Sequence, residues 1–310
     1  MPATVTGAAV GEPIRVTGPE GPWEAVREAL AMRGSAVLVS RLGDWLPAGE
    51  PDPVAGASAA EPDAPSGGSV EPSERDVAVL GRDWARYQAM SHEQVRSRFL
   101  ASRLLLKHAA GNALQASPET VDLAYKLGGR PYLRGCDQVD ISLSHTEDLL
   151  VVGLTRRGWI GVDAELESRR LLGTGAEKQI CTPHEIARLE ELPEERRNLA
   201  LVRLWTLKEA YSKAIGQGLR FRFTEFGFTP TAGADRVQVL RPDGSPGTGD
   251  EWSFGTWAVD DGAYTVSVAL FDAGFGDTAD IAARTMLDDG LLDALSGYRR
   301  DGGDVTRRLK

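Results

Sequence analysis

Three short segments of the chain carry side chains that could hold a metal ion together with a phosphate. They are GVDAE at 161–165, WTLKEAYSK at 205–213 and SLSH at 142–145. Together the segments supply three carboxylates, two lysines and an adjacent serine and histidine. Hard oxygen ligands favour Mg²⁺, which also accepts phosphate oxygens. The inventory therefore indicates a divalent cation that holds a diphosphate.

The acids of the first segment share one face of a predicted strand over 159–166. Side chains alternate along a strand, so Asp163 and Glu165 point the same way, with Cα atoms roughly 7 Å apart. Two carboxylates that converge repel each other unless a cation lies between them. Acidic alternation is also common on solvated strand faces, so this pair alone does not distinguish a metal site from an exposed surface.

The second segment is part of a predicted helix over 199–215 that carries a polar stripe. Trp205, Glu209 and Lys213 are spaced four residues apart and so lie on one face. The apolar face is formed by Leu204, Leu207, Tyr211 and Ala214. An ordinary Glu–Lys helix pair would explain Glu209 and Lys213, but it would not explain a tryptophan in the same stripe.

Ser144 and His145 fall where a strand is predicted to end. Adjacent strand residues point to opposite sides, so the two cannot act on each other as nucleophile and base. Each can still donate to a phosphate oxygen, and a turn with a surface histidine is the competing interpretation. The chain has no Walker A sequence and no GxGxxG turn, so an anion would depend on basic side chains. The candidates are Arg130 on a Gly-Gly-Arg-Pro turn and Arg82, Arg86 and Arg98.

The composition narrows the class of protein. The chain has 310 residues, of which 42% are hydrophobic, a net charge of −10 and a pI near 5.1. This acidity argues against nucleic-acid binding as the main task. No segment is long and apolar enough to suggest a membrane span. We interpret Cys136 and Cys181 as reduced thiols of a cytoplasmic protein.

Local patterns predict the elements that must position these residues. A short helix at 23–32 and a strand at 35–40 precede a Pro-, Ala- and Gly-rich segment at about 47–73, which we predict to be a disordered loop. Two sequences are typical of a helix start with a capping box. These are Ser91 with Gln94 and Thr182 with Glu185.

Towards the C-terminus, alternating residues at 252–259 and 263–270 predict a hairpin across Asp260-Asp261-Gly262. Residues from 278 predict a helical tail.

Five segments, in their order and spacing, give the chain a specific family resemblance. They are the helix from Arg98 to Lys107, GRPYL at 129–133, ISLSH at 141–145, GVDAE at 161–165 and WTLKEAYSKAIGQGL at 205–219. With these segments, the chain resembles the Sfp-type 4′-phosphopantetheinyl transferases over roughly residues 76–271. The resemblance implies transfer of the phosphopantetheine arm of coenzyme A to a carrier-protein serine, with release of adenosine 3′,5′-bisphosphate.

The resemblance also implies roles for individual residues. Asp163, Glu165 and Glu209 would be Mg²⁺ ligands, with Mn²⁺ as an alternative, and the implied catalytic residues are Glu209, Lys213 and Asp163. Lys213 and Lys208 would lie near the phosphates. Coenzyme A would contact Ser144, His145, Arg130 and Arg98, with Arg82 and Arg86 as candidates for its 3′-phosphate. The base for the serine proton would be Glu209, either directly or through a metal-bound water.

We expect an α+β protein of two similar subdomains related by a pseudo-twofold axis, with the ligand cleft between them. The expected division has four parts. Residues 1–75 form a leader, 76–158 the N-terminal subdomain joined by the strand at 35–40, 159–273 the C-terminal subdomain and 274–310 a helical tail.

The expected partners are coenzyme A and an apo acyl or peptidyl carrier protein, with no nucleic acid and no membrane. An acidic carrier would need a basic patch on this acidic chain. The candidates for that patch are Arg96, Arg103, Arg169, Arg170, Arg220 and Arg222. Two other functions stay open: a non-catalytic module that binds coenzyme A or a carrier, and a Mg²⁺-dependent diphosphate hydrolase. The sequence does not distinguish fatty acid, polyketide and nonribosomal peptide carriers.

Overall fold

A computed structural model describes residues 10–46, 72–126, 128–216, 222–229, 237–247 and 251–273. The predicted helical tail at 274–310 lies outside these residues, and so does the predicted disordered loop at 47–73 apart from its last two residues. Within the described ranges, no helix is both long and apolar enough to cross a membrane.

The described chain forms helices and strands in blocks. The helices are α1 (Trp23–Arg33), α2 (Glu74–Leu80), α3 (Asp83–Gln88), α4 (Glu93–Leu114), α5 (Glu177–Ile180), α6 (Pro183–Glu190) and α7 (Glu194–Ala214). The strands are β1 (Ile14–Arg15), β2 (Ser35–Arg41), β3 (Leu123–Tyr125), β4 (Pro131–Leu133), β5 (Asp140–Thr146), β6 (Leu149–Thr155), β7 (Gly158–Leu166), β8 (Gly227–Phe228), β9 (Val239–Leu240), β10 (Trp252–Val259) and β11 (Tyr264–Asp272). The helix and strand predicted at 23–32 and 35–40 are confirmed as α1 and β2.

Two larger sheets organise the fold. The first has the strand order β1-β2-β6-β5, with β1 parallel to β2 and the other pairs antiparallel. The second is antiparallel, in the order β10-β11-β7. Helix α4 packs on the first sheet, and α7 packs on β7 and β11 of the second. The predicted α+β class is confirmed, and each sheet carries one long helix. The predicted domain bounds remain predictions.

The two sheets share a core because strand β6 is apolar on both faces. Its sequence, Leu-Leu-Val-Val-Gly-Leu-Thr, is buried along its whole length. Val152 packs in the core beneath α4, whereas Val151 packs with Ile160 and Val162 of β7. The alternation predicted for β7 is therefore confirmed. Asp163, on the opposite side of that strand, is only 7% exposed, so the acidic face is not a solvated surface.

Three local sequence patterns predicted two capping boxes and one hairpin, and two of these three predictions are confirmed. The Thr182 hydroxyl accepts the backbone N–H of Glu185, and the Glu185 carboxylate accepts the backbone N–H of Thr182, so this capping box is confirmed. The hairpin of β10 and β11 is also confirmed. The capping box at Ser91 is wrong, because α4 begins at Glu93 and its N-cap is His92, which makes no side-chain cap bond.

Candidate active site

A pocket of about 520 Å³ opens between α4, β5 and the end of α7. Its lining is strongly basic, with a single carboxylate among the described residues that line it. The charged and titratable lining residues are Arg86, Arg98, Arg103, His145, Asp163 and Lys213. Such a lining attracts an anion with several negative charges.

Lys213 joins the three predicted segments at the floor of this pocket. Its Nζ donates to Asp163 Oδ1 at 2.7 Å, to Ser144 Oγ at 3.0 Å and to the carbonyl oxygen of Val162 at 3.1 Å. Ser144 Oγ also donates to Asp163 Oδ1 at 2.8 Å. Residues from β5, β7 and α7 that are far apart in the sequence therefore meet at one ammonium group.

Glu209 lies one helical turn before Lys213 and is a buried carboxylate. It is 8% exposed, and its Oε1 has no hydrogen-bond partner among the described residues. Burial, together with the negative charge of Asp163, raises the pKa of Glu209 to about 7, although Lys213 opposes the shift. A carboxylate with a pKa near neutrality can exchange a proton at physiological pH.

Glu165 has different partners. Its Oε1 accepts the Thr146 hydroxyl at 3.2 Å, and its Oε2 accepts the Arg169 guanidinium. The Arg169 guanidinium also lies over the ring of Trp205, 5.8 Å from its centroid. Trp205 therefore serves this contact and two apolar clusters, rather than the polar stripe that the sequence suggested.

The predicted metal triad is not assembled in the described part of the chain. There, no three His, Cys, Asp or Glu side chains lie close enough together to hold a metal ion. Glu165 is held by Arg169 and Asp163 by Lys213. Asp163 and Glu209 still fit a cation, because a buried carboxylate oxygen without a partner, beside a second carboxylate, is the arrangement that a positive ion relieves.

His145 lines the pocket; the residue as a whole is exposed, but protein atoms crowd its imidazole ring. Loss of solvent around the imidazole, followed by repulsion from Arg98 and Lys213, lowers its pKa to about 4. His145 is therefore neutral at pH 7 and can donate one hydrogen bond to an anion without adding charge in the empty pocket.

Helix α4 presents a continuous face to the pocket. Positions 95, 98, 99, 102 and 103 all line it, which is the i, i+3, i+4 repeat of one helix face. The Arg103 guanidinium lies over the rings of Phe99 and Tyr125, at 4.5 and 5.2 Å from their centroids. Arg103 was predicted to lie in a carrier-facing patch, but it lines the pocket. Arg103 is five residues from Arg98, about 140° further around the helix, so helical spacing did not predict its place here.

The two arginines predicted to contact the 3′-phosphate differ in their position relative to the pocket. Arg86 lines the pocket, and its guanidinium also lies over the Phe99 and Tyr125 rings. Arg82 does not line it; its side chain is 74% exposed and lies 3.6 Å from the Asp122 carboxylate. The structure therefore supports Arg86 and not Arg82 as a pocket cation.

The structure corrects the predicted place of Lys208 near the phosphates, because its side chain does not line the pocket. Its side chain is fully buried, and its Nζ contacts Glu185 Oε2 at 2.7 Å together with three backbone carbonyl oxygens. Those carbonyls belong to Ile180, Phe223 and Phe226, at 2.6–2.7 Å. Successive helix residues point about 100° apart, so a helix that brings Glu209 near Asp163 directs Lys208 into the core.

The structure also corrects the predicted contact of Arg130 with coenzyme A. Gly129 and Pro131 on either side of it line the pocket, but Arg130 does not. Its guanidinium is turned into the protein, where it meets Asp140 and backbone carbonyl oxygens of β7 and α7.

Comparison with known proteins finds similarity in the part of the chain that carries Asp163, Glu209 and Lys213. Residues 160–269, which include the acidic strand and α7, match the model of the 4′-phosphopantetheinyl transferase superfamily. The chain is 30% identical over 143 residues to a putative 4′-phosphopantetheinyl transferase of Synechocystis sp., a match that covers 46% of this chain and 58% of that protein. This chain therefore spans little more than half of that relative.

Two further relatives are covered more fully. The 4′-phosphopantetheinyl transferase HetI of Nostoc sp. is 31% identical over 160 residues, which are 50% of this chain and 68% of HetI. A 4′-phosphopantetheinyl transferase of Bacillus subtilis is 23% identical over 168 residues, which are 54% of this chain and 73% of that protein.

Proposed function

The chain belongs to the 4′-phosphopantetheinyl transferase superfamily, and from that membership we propose that it transfers the 4′-phosphopantetheine arm of coenzyme A to a serine of an apo acyl or peptidyl carrier protein. One observation carries the proposal. Lys213, Asp163 and Ser144 converge on the floor of a basic pocket, with the high-pKa carboxyl of Glu209 nearby.

The pocket suits the nucleotide end of coenzyme A. The 3′-phosphate and the diphosphate together carry several negative charges, and Arg86, Arg98, Arg103 and Lys213 supply opposite charge. The Arg86 and Arg103 guanidinium groups are preorganised, because each lies over the rings of Phe99 and Tyr125. The ligand would therefore order few side chains on binding.

The reaction balances with the residues present. The carrier serine Oγ attacks the phosphorus that bears the pantetheine arm, and a new O–P bond forms. The bond from that phosphorus to the bridging oxygen of the diphosphate breaks, and adenosine 3′,5′-bisphosphate leaves with the electron pair. Glu209 would accept the serine proton, either directly or through a bridging water, and Lys213 would offset the charge that develops on the leaving phosphate.

A divalent cation fits beside these residues. Asp163 and Glu209 would hold Mg²⁺, or Mn²⁺ as the alternative, with Glu165 as the third predicted ligand. When bound, the cation supplies neutralisation of the diphosphate charge. This chain would then contribute Lys213 as an additional positive charge and the pocket walls as a barrier to water.

Intact mass measurement tests the proposal. Purified protein, Mg²⁺, coenzyme A and an apo carrier protein should give a carrier heavier by one phosphopantetheine group. Consumption of coenzyme A without a labelled carrier would show a hydrolase, and binding of coenzyme A without consumption would show a binding module; either outcome overturns the proposed transfer. A panel of apo carriers from fatty acid, polyketide and nonribosomal peptide systems would identify the substrate class.

Asp163→Asn keeps the shape of the side chain and removes its charge, so it tests the role of the acid without leaving a cavity. We expect transfer to be lost while the protein stays folded. Retained transfer in this variant would reject Asp163 as a cation ligand.

A further inference from the structure

Arg130 lies at the junction of three elements and is almost closed off from solvent. Its side chain is 11% exposed. Nη1 donates to the carbonyl oxygens of Lys213 and Ala214, the latter at 2.9 Å. Nη2 donates to the Asp140 carboxylate and to the carbonyl oxygen of Ile160 at 2.8 Å. One guanidinium thus ties the end of α7 to β5 and β7.

Asp140 completes this junction. Its Oδ2 accepts both the Arg130 guanidinium and the backbone N–H of Ile160, the latter at 2.8 Å. Asp140 holds the planar fork of Arg130 in place and links it to β7 a second time. A lysine could not reproduce this arrangement, because an ammonium group offers no planar fork.

Two of the carbonyl groups that Arg130 binds lie in the last turn of α7, and one of them, that of Lys213, also accepts the backbone N–H of Gly216 at 3.1 Å. The last four carbonyls of an α-helix lack intrahelical donors, and a cation there is favoured by the helix dipole. α7 ends at Ala214, so Arg130 acts as its C-terminal cap. The residue whose carbonyl it binds, Lys213, is the one whose ammonium group lies on the pocket floor.

We propose that Arg130 is a positioning residue: it fixes the backbone of Lys213 so that the ammonium group lies at Asp163 and Ser144, and it does not itself bind coenzyme A. This inference rests on the proposed transfer reaction and goes beyond it, because it moves Arg130 from the ligand contacts to the support of Lys213. A displacement of about 1 Å at a catalytic group can cost about 10²-fold in rate.

The other long helix provides a matched control. The Arg156 guanidinium donates to the carbonyl oxygen of Ala113, in the last turn of α4. Arg156 therefore caps a helix end in the same way, but neither it nor Ala113 lines the pocket. Arg156→Met removes a comparable cap without touching Lys213.

The experiment compares Arg130→Met, Arg130→Lys and Arg156→Met. For each protein, kcat and the KM for coenzyme A are measured, the Kd for adenosine 3′,5′-bisphosphate is measured by calorimetry, and the folded fraction is measured by circular dichroism. Both Arg130 variants should lose about 10²-fold in kcat per folded molecule, with Kd raised no more than about threefold, because Arg86, Arg98 and Arg103 stay in place. Arg156→Met should keep its kcat and lose only stability.

Two results would overturn the proposal. A Kd raised tenfold or more with kcat retained at saturation would make Arg130 a ligand contact. Unchanged kcat and Kd in folded Arg130 variants would make it a purely structural cap. If Arg130→Met does not fold, Asp140→Asn takes its place: it should lower kcat with Kd unchanged, and it should add little to the loss in Arg130→Lys.

A failure of the proposed reaction would look different. If the wild-type protein labels no carrier, the transfer proposal fails, but the anchoring of α7 can still be measured. Hydrogen exchange at the amides of residues 213–215 should then accelerate in Arg130→Lys and not in Arg156→Met. Equal exchange in the two variants would contradict the anchoring itself.

Discussion

Gly161 of β7 and Ala210 of α7 are in backbone contact. A Cβ atom at position 161 would lie 2.5 Å from the backbone nitrogen of Ala214 and closer still to the carbonyl oxygen of Ala210. No side-chain rearrangement can relieve this clash, because both neighbours are backbone atoms. The missing side chain of Gly161 therefore sets the distance between the acidic strand and the helix that carries Glu209 and Lys213.

Gly161→Ala should consequently separate α7 from β7. We expect a loss of about 3 kcal/mol or more in the free energy of unfolding, at the upper end of overpacking costs, and loss of transfer in the molecules that stay folded. Chemical denaturation gives the first quantity. Gly43→Ala is the control, because a Cβ there meets nothing within 4 Å. Equal stability of the two variants would show that α7 and β7 can move apart at little cost in free energy.

The buried pair of Lys208 and Glu185 predicts a second stability effect. Lys208→Met leaves the Glu185 charge without its cation and removes the donor to three carbonyl groups. Breaking a buried ion pair from one side typically costs about 3–5 kcal/mol. We expect a loss of this size in denaturation experiments, and an unchanged Kd for adenosine 3′,5′-bisphosphate in the folded fraction.

Two comparisons sharpen the Lys208 prediction. Lys178→Met, at an exposed position of α5, should change neither quantity. Lys208→Met combined with Glu185→Gln should lose less than the sum of the single changes, because no buried charge is left alone. A stable Lys208→Met variant with Kd raised tenfold would instead show that Lys208 binds the phosphate groups of the ligand.

Features of the fold set by neighbouring residues could be predicted from the sequence. The capping box of Thr182 and Glu185 and the hairpin of β10 and β11 each depend on one short segment. The acidic alternation of β7 was also correct, because a strand repeats every two residues. The capping box at Ser91 was predicted wrongly because neighbouring residues compete for the N-cap position. His92 occupies that position and makes no side-chain cap bond.

Features that depend on distant partners could not be predicted. Arg130 was expected at the ligand because a rigid turn next to the pocket carries it. Its acceptors are supplied by Asp140, Ile160 and the end of α7, and no local pattern reveals that they converge. The direction of Lys208 was knowable in principle, since helix geometry separates it from Glu209, but the family resemblance suggested otherwise.

His145 predicts a pH dependence of ligand binding. Its pKa of about 4 in the empty pocket leaves the imidazole neutral between pH 5 and 8. A bound phosphate group offsets the repulsion from Arg98 and Lys213 and so raises this pKa, and the complex takes up a proton as the pH falls. Affinity should therefore rise as the pH falls from 7 to 5, and the full gain of about tenfold for each pKa unit is reached only below about pH 4.

Calorimetry with adenosine 3′,5′-bisphosphate in metal-free buffer checks the His145 prediction. His145→Asn should lose this extra gain, while His92→Asn, an exposed histidine that does not line the pocket, should keep it. The ligand's own titration is common to all three proteins and cancels in the comparison. The same pH dependence in all three would assign the proton uptake to another group.

Glu209 predicts that the metal-free protein is less stable at alkaline pH. The ordinary pKa of 4.5 applies to the unfolded chain, whereas burial and Asp163 raise the pKa in the folded protein to about 7. Between these values the folded protein holds a proton that the unfolded chain releases, so the free energy of unfolding falls as pH rises. The loss is on the order of 3 kcal/mol, complete above pH 7.

Glu209→Gln stays neutral at every pH, so in chelator it should be more stable than the wild type at pH 8 and should lack this part of the pH slope. Glu190→Gln, an exposed change on α6, should keep the slope. Mg²⁺ should raise the Tm of the wild type at pH 8 and have a smaller effect on Glu209→Gln, because the cation offsets the charge that destabilises the metal-free site. An equal increase in Tm of both proteins with Mg²⁺ would show that Glu209 does not bind the cation. The absence of any stability difference in chelator would mean that solvent reaches its carboxylate.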